Sequence, residues 1–325
     1  MGRAIELAAG VRTITSPNPW VGAVLVTPDG AVFEGATEPP GGRHAEVVAL
    51  DAASASASQV EGATMYTTLE PCSHHGRTPP CTDALVAADI GRVVIGIEDP
   101  DIHVAGEGIA RLRAAGIAVD VGVCAFEVRA QLAPYVKHRT TGRPWVLLKL
   151  AASLDGRTAA PDGSSKWITG SAARADAHRL RAESDAVIVG AGTVRADDPA
   201  LTVRDAQGDD PLRVVLGRAA DGARVHPCIE LDGALVDVLD ELGRRGVVQA
   251  LVEGGATVAG AFHREGLVDR YVLYLAPALF GGDDARPLMV GRGAPTIDDL
   301  WRGRITNVEQ LGDDLKVELE PCSLG

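Results

Sequence analysis

Aromatic side chains are scarce in this sequence, 4% of 325 residues, and positive charge is outweighed, with 31 Lys and Arg against 44 Asp and Glu for a net charge of −13. A nucleic-acid reader needs a basic face and stacking rings, so both shortages argue against one. A phosphate-bearing small molecule stays admissible, because a few local arginines can bind it inside an acidic protein. Cysteine is sparse as well: five residues, an odd number without regular spacing, point to reduced thiols in a cytosol rather than a disulfide frame. No apolar run approaches the ~18 residues of a membrane span. Glu6 sits inside the apolar pattern Ile5, Leu7, Ala8, Ala9, unlike a signal peptide, and position 6 is not the Ser or Thr that myristoylation of Gly2 would require. The expectation is a cytoplasmic protein with neither membrane nor nucleic-acid partner.

What is present suffices for two domains of ordinary size, with 46% hydrophobic residues to fill their cores. Residues 3 to 9 read as a short helix. Val21 to Val26 and Ala31 to Glu34 flank the Pro28-Asp29-Gly30 turn as a hairpin. A helical run from His44 to Ala53 follows, then a polar loop from Ser54 to Ser58 and a β-rich strand from Thr64 to Leu69. Thr82-Asp83 can cap a helix through Ala88; strand Arg92 to Ile97, helix Gly108 to Ala115 and strand Ile117 to Val123 complete the first half. Thr140-Thr141-Gly142-Arg143-Pro144 is a turn-rich break, so the boundary falls between 1–143 and 144–325. Beyond it, strand Trp145 to Leu150, helix Ser171 to Glu183, strands Ala186 to Gly190 and Leu212 to Leu216, helix Ala234 to Leu242, strand Val247 to Glu253, helix Thr257 to Glu265 and strand Arg270 to Leu275 alternate again. Such alternation predicts layered α/β domains with parallel-rich sheets, and two final strands near 304–311 and 316–319 pair antiparallel.

The chemistry-bearing residues form a split constellation. His44-Ala45-Glu46 opens one helical run, and Pro71-Cys72, with Cys81 further on, links a strand to the next helix. This follows the H-x-E and P-C-x-x-C signature of zinc deaminases, with eight residues between the cysteines where the general pattern has two. Three protein ligands leave the fourth tetrahedral position of Zn²⁺ to water, whose pKa then falls to about 7. A carboxylate must carry the proton from that water to a departing amine, and Glu46 is the candidate. Residues two apart on a helix diverge, so His44 and Glu46 can share a site only in the first turn. His74 and His75, inside the insert, are rival ligands on chemical grounds, and a structural zinc site or two buried thiols is the bland alternative. Cys124, Cys228 and Cys322 are expected to be inert.

In the second half, Val252-Glu253-Gly254-Gly255-Ala256-Thr257 ends a strand in glycines and begins a helix, where backbone N–H groups can hold a phosphate. Gly190-Ala191-Gly192-Thr193 is a second turn of that kind, and two of them make a dinucleotide crevice plausible. A plain strand-to-helix turn explains each equally well.

The run from Thr68 to Cys81, with Ser16-Pro17-Asn18-Pro19-Trp20-Val21-Gly22 upstream, resembles the deaminase half of the bifunctional riboflavin-biosynthesis deaminase/reductase family. Lys149 to Arg157, Ser165-Lys166-Trp167-Ile168-Thr169 and Asp197-Asp198-Pro199-Ala200-Leu201-Thr202 are similar to its reductase half. The resemblance implies a cytidine-deaminase-like α/β/α layer domain followed by a dihydrofolate-reductase-like α/β domain, with Zn²⁺ and NADPH as cofactors. It implies that His44, Cys72 and Cys81 hold the zinc and that Glu46 is the proton donor. The nicotinamide cofactor would meet Ala151, Trp167, Thr193, Asp197, Arg218 and Gly255, and the sugar-phosphate substrate Ser165, Arg181, Leu201, Arg204 and Glu253. The implied reactions are deamination of a diaminopyrimidinone ribosylamino phosphate and then reduction of its ribosyl chain; no general acid is named for the reduction, for which Asp155 and Lys149 are possibilities only. A homodimer through an exposed edge of the reductase sheet is expected.

The sequence departs from the family in three places. Asp101-Ile102 replaces an Asn-Pro pair, Trp20 is bulkier than expected, and the chain between Leu216 and Val247 is short. His103 reads as a surface-loop histidine. These departures keep an alternative open, a zinc deaminase of another free nucleobase or nucleotide with an inactive second domain; a metal-stabilised scaffold is a third reading.

Overall fold

The computed structural model describes residues 1–76, 78–101 and 104–322. Arg77 of the cysteine insert, and Ile102 and His103 of the loop after Asp101, lie outside the described residues. The chain divides into two compact units, Met1–Arg143 and Pro144–Gly325.

The first unit runs α1 (Gly2–Gly10), α2 (Arg12–Thr15), β1 (Gly22–Val26), β2 (Val32–Ala36), α3 (Ala45–Ala55), β3 (Thr64–Leu69), α4 (Cys81–Ala87), β4 (Arg92–Ile97), α5 (Glu107–Ala114), β5 (Ala118–Val121), α6 (Ala125–Gln131) and α7 (Ala133–Thr141). Its sheet has the order β2-β1-β3-β4-β5, antiparallel at the hairpin and between β1 and β3, parallel from β3 onward. Two glycines show how the layers form. A Cβ on Gly22 would lie 1.9 Å from the Ala4 carbonyl oxygen of α1, and one on Gly35 would lie 2.1 Å from the Ala45 carbonyl oxygen of α3. Gly35 pairs with Ala23, the neighbour of Gly22, and successive strand residues face opposite sides. The two helices therefore cover opposite faces, giving an α/β/α sandwich in which only glycine admits such close approach.

Three expectations for this unit need correction. Helix α3 continues through Ala55, into the stretch read as a loop. Thr82 and Asp83 lie inside α4, which starts at Cys81 after Pro80, and the Thr82 hydroxyl donates to the Cys72 carbonyl instead of capping. The segment 124–141, for which no helix was expected, forms α6 and α7.

The second unit runs β6 (Trp145–Ser153), β7 (Arg157–Ala159), α8 (Ser171–Ala182), β8 (Ala186–Gly190), α9 (Ala191–Asp197), β9 (Leu212–Leu216), β10 (Ile229–Leu231), α10 (Leu235–Arg244), β11 (Gln249–Gly254), α11 (Ala256–Arg264), β12 (Arg270–Ala276), β13 (Arg286–Pro287), β14 (Gly303–Leu311) and β15 (Asp314–Pro321). Its main sheet has the order β10-β9-β8-β11-β6-β12-β15-β14, parallel as far as β12, with the last two strands antiparallel as expected. The shortened 217–246 segment still contributes β10, which closes one edge.

Strand residues alternate between two cores. Val146, Leu148 and Leu150 of β6, with Ala186 and Ile188 of β8, pack under α10 and α11; Leu147, Val187 and Val189 pack on the other side with α8 and α9. Helix α10 shows why: Leu235, Val238, Leu239 and Leu242 recur at the helical spacing that lines one face. A charged cluster anchors α8 to the antiparallel edge. Buried Lys316 of β15 lies 3.0 Å from Asp176 and 3.1 Å from Glu318, Tyr274 donates to Asp176 at 2.6 Å, and Asp314 accepts the Gly170 N–H at 2.7 Å before the first turn of α8.

Candidate active sites

His44 is the N-cap of α3, in extended backbone conformation, and Glu46 is the second residue of the helix, so imidazole and carboxylate converge in the first turn. Cys81 is the first residue of α4. Cys72 precedes it in the loop after β3 and its sulfur accepts the Cys81 N–H at 3.3 Å. The His44 Nδ1 lies 3.2 Å from the Cys81 sulfur and 3.5 Å from the Cys72 sulfur. All three donor atoms fall within 4.8 Å of one another, and neither His74 nor His75 belongs to the group. A tetrahedral zinc with ordinary Zn–S and Zn–N bonds separates such donors by about 3.6 Å, close to the two nitrogen–sulfur distances here.

Electrostatics point the same way. Hydrogen bonding from Cys81 outweighs burial to hold the Cys72 thiol far below its usual range, while Cys72 and burial push Cys81 up. Two adjacent thiols cannot both ionise without a cation, and a bound dication would remove that conflict. The His44 Nε2 faces the Thr78 hydroxyl at 3.5 Å, which leaves Nδ1 toward the sulfurs. Glu46 is buried, and burial raises its pKa to about 7.

His44, Glu46, Cys72 and Thr78 line a cavity of about 390 Å³ that also takes in Asn18, Thr37, Asp99, Asp101, Tyr135 and Arg139. Glu70 is structural in this wall, accepting N–H groups of Asp99, Gly106 and Ile109 at 3.0 to 3.1 Å. Tyr135 donates to the buried Asp99 carboxylate at 3.2 Å. Asp99, Tyr135 and Arg139 were absent from the residues expected at this site. Their only sequence signal was the Asp99-Pro100-Asp101 turn, since Tyr135 and Arg139 arrive from a helix forty residues on.

In the second unit the structure brings together Arg181, Glu253, Arg204 and Leu201. Arg181 of α8 grips Glu253 of β11 with Nε at 2.5 Å and Nη2 at 2.9 Å, and donates to the Thr202 carbonyl at 3.1 Å. His178, one turn earlier, bonds the same carbonyl at 3.1 Å through Nδ1 and faces Arg204 at 3.4 Å through Nε2. Burial and the two arginines lower the His178 pKa. Leu201 is buried with φ +53°, a strained value for a branched side chain, which fixes how Thr202 is presented. Lys149 of β6 lies 3.9 Å from Glu253; burial pulls its pKa down against the attraction of that carboxylate. His178 and Thr202 were missed from sequence; His178 shares a helix face with Arg181 at a spacing of three, the one clue available.

Thr193 and Gly255 also meet: the Gly255 N–H donates to the Thr193 hydroxyl at 2.8 Å, and a Cβ on Gly255 would come within 3.1 Å of that oxygen. Helices α9 and α11 start side by side, at the ends of neighbouring parallel strands β8 and β11, a close backbone cradle that fits a dinucleotide phosphate. Ala151 is half-buried in β6. The remaining expected residues are more dispersed. Trp167 is 70% exposed under the Arg174 guanidinium, Ser165 is half-buried in the same loop, Asp197 ends α9 at the surface, and Arg218 extends outward 3.9 Å from Glu230. Asp155, a candidate acid, is tied to Ser153 and to the Gly281 N–H, which hold its pKa down to about 2. A carboxyl so acidic is a poor proton donor at neutral pH.

Comparison with known proteins supplies the rest. Residues 1–97 match the cytidine and deoxycytidylate deaminase zinc-binding region, and residues 144–317 match the RibD C-terminal domain. The riboflavin biosynthesis protein RibD of Mycobacterium tuberculosis is 44% identical over 344 aligned positions, covering 98% of this chain and 96% of its own. The Escherichia coli protein of the same name is 39% identical, covering 98% of each. Among solved structures, Acinetobacter baumannii RibD superposes with a TM-score of 0.92 at 40% identity, over 99% of this chain and 98% of that one. A Thermotoga maritima diaminohydroxyphosphoribosylaminopyrimidine deaminase/5-amino-6-(5-phosphoribosylamino)uracil reductase superposes with a TM-score of 0.88 at 34% identity, over 99% and 97%. Likeness of this extent, carried along both units, is that of common descent, and the chain belongs to the RibD family of bifunctional riboflavin-biosynthesis deaminase/reductases.

Proposed function

We propose that His44, Cys72 and Cys81 hold the zinc of this deaminase and that Glu46 moves the proton. The observation that carries this reading is three soft and borderline donors at zinc-bonding separations with a buried carboxyl beside them. Zinc, when bound, makes a water nucleophilic at neutral pH. Glu46 takes up a proton as that water attacks and gives it to the exocyclic nitrogen, which leaves as ammonia. A carboxyl placed beside the metal ligands and shielded from bulk water is positioned both to accept that proton and to return it. The substrate is 2,5-diamino-6-ribosylamino-4(3H)-pyrimidinone 5′-phosphate, as the relatives' names suggest.

The second unit then reduces the ribosyl chain of the deaminated product to give 5-amino-6-ribitylaminouracil 5′-phosphate. NADPH, when bound, supplies the hydride. We assign the cofactor to Ala151, Trp167, Thr193, Asp197, Arg218 and Gly255, and the phosphorylated sugar to Ser165, Arg181, Leu201, Arg204 and Glu253. Arg181 and Arg204 replace the water around a phosphate, and Glu253 holds Arg181 in place while it does so. Lys149, lowered in pKa and facing this cluster, is favoured over Asp155 as the proton source. The short 217–246 segment leaves the Arg181–Glu253 pair intact, which favours an active second unit.

A homodimer through the exposed strand β14, where Ile305 and Val308 face solvent, is part of the same proposal, as is a place in the cytoplasm. Among the described residues no helix is long and apolar enough to cross a membrane. The test of the reading is metal analysis of the purified protein, with product identification by mass spectrometry. One zinc per chain and a deaminated, then ribityl, product are expected.

A further inference from the structure

Two arginines serve the site of the second unit, and their charges are not equally free. Arg181 is held by the Glu253 carboxylate through Nε and Nη2, so its charge is matched inside the protein. Arg204 lies exposed in the irregular stretch after Leu201. Its guanidinium meets the Thr202 hydroxyl at 3.4 Å through Nη1 and the His178 Nε2 at 3.4 Å through Nη2. Both partners are uncharged acceptors when the imidazole is neutral. We infer that His178 is a positioning residue for the reductase reaction: as a neutral imidazole it aims the Arg204 guanidinium at the substrate phosphate without cancelling its charge. The inference rests on the assignment of the phosphorylated sugar to Arg204 proposed above.

The hydrogen bonds fix which nitrogen does what. The Thr202 carbonyl only accepts, so the His178 Nδ1 at 3.1 Å carries the proton, and Nε2 keeps the lone pair that faces Arg204. The same carbonyl takes an N–H of Arg181 at 3.1 Å, which ties the imidazole, the first arginine and the loop to one oxygen. His178 is 6% exposed, so its ring is a fixed post on α8. Arg204, a long side chain in solvent, gives up rotamer freedom when it binds an anion, and a fixed acceptor beforehand reduces that cost.

The charges around the ring keep it neutral and define what acid does to it. Among the described residues, Arg181 of the same helix, Arg204 and Asp205 of the loop and Glu253 of β11 face it; burial and the two arginines outweigh the two carboxylates and lower its pKa. A second proton, at Nε2, sets N–H against N–H where Arg204 now donates and favours the Asp205 carboxylate 3.7 Å away. Binding of the phosphorylated substrate should therefore weaken on acidification, below the usual histidine value of about 6.5.

The experiment follows NADPH oxidation by the full chain on the deaminated substrate, phosphorylated and dephosphorylated, for His178→Asn, His178→Gln, Arg204→Gln and the pair His178→Asn with Arg204→Gln. Asn can donate near the place of Nδ1 but does not reach Arg204; Gln can set a carbonyl oxygen where Nε2 stands and does not titrate. His178→Asn is expected to raise KM for the phosphorylated compound about five- to twentyfold with kcat changed little, to shift KM for the dephosphorylated compound and for NADPH less than about twofold, and to add nothing in the Arg204→Gln background. His178→Gln should recover most of the loss. A phosphate ester itself takes up a proton with a pKa of about 6, so acidification is read as a difference: KM of the unaltered chain should rise more than that of His178→Gln. An equal rise in KM for both compounds, an undiminished effect in the Arg204→Gln background, or identical pH profiles for the unaltered chain and His178→Gln overturns the inference. Should His178→Asn lower the denaturant midpoint of the second unit, the pH comparison decides alone. If Arg204→Gln leaves KM for the phosphorylated compound unchanged, the substrate assignment itself fails and the inference falls with it; a raised KM there with none in His178→Asn sinks the inference alone.

Discussion

The Cys81 sulfur lies 3.2 Å from the His44 Nδ1, although 37 residues separate them in the chain. That contact joins the N-terminus of α3 to that of α4 and makes the deaminase site a property of the fold rather than of any one segment. On the proposed ligand set, replacing Cys81 by Ser removes one of three metal donors. Bound zinc should fall well below one per chain and ammonia release should vanish, while NADPH oxidation on already deaminated substrate persists. Metal analysis with the two assays run separately checks this, and loss of both activities together would argue that the ion holds up more than its own unit.

Glu46 is beside the ion but is not one of its ligands in this account. Glu46→Gln keeps the shape and loses the proton transfer, so deamination should drop about 10²- to 10⁴-fold with zinc content unchanged. Zinc lost in parallel with activity would recast Glu46 as a ligand.

Glu253 offers a pH test of the second unit. Burial acts to raise its pKa, but the Coulombic attraction and hydrogen bonds of Arg181, with help from Lys149, outweigh it and bring the value down to about 2. A carboxyl whose folded pKa lies below its unfolded value of about 4.3 stabilises the fold above that value and loses its contribution as pH falls toward the folded pKa. The stability gap between the unaltered chain and Glu253→Gln should therefore be full at pH 7 and narrow from about pH 4.3 to about pH 2. Denaturant unfolding of the second unit at several pH values measures it; a gap that does not change with pH would show that the pair adds no linkage.

Lys316 is buried against Asp176 and Glu318, which also face Arg179 and Arg270, so its loss weakens the balance of a buried charge network. Lys316→Met should destabilise the second unit by about 3 kcal/mol, read as a lowered denaturant midpoint. Adding Asp176→Asn should recover part of that loss, since it removes one of the two carboxylate charges that Lys316 balanced.

How much of this was legible in the sequence varies with the kind of signal. His44, Glu46, Cys72 and Cys81 announce themselves because metal chemistry demands those residue types at narrow spacings, and α10 does so through Leu235, Val238, Leu239 and Leu242. Helix α7 was hidden by Pro134, which reads as a break but is tolerated in a first turn where no N–H partner is lost. The start of α9 was signalled by the Gly190-Ala191-Gly192-Thr193 turn, but a seven-residue helix with a glycine inside it gave no period from which to read its extent. Strands β7, β10 and β13 are two or three residues long and have no periodicity to read. The Asp99–Tyr135 bond and the His178–Arg204 contact are long-range meetings that no local pattern encodes.

The central claim is one chain that deaminates first and reduces second. The most direct measurement is to offer the zinc-loaded protein the diaminopyrimidinone ribosylamino phosphate with and without NADPH and to identify the products by mass spectrometry. The account predicts the deaminated compound alone when NADPH is withheld and its ribityl derivative when NADPH is present. NADPH oxidation on substrate that still carries its amine, or no deaminated compound at all, would contradict it.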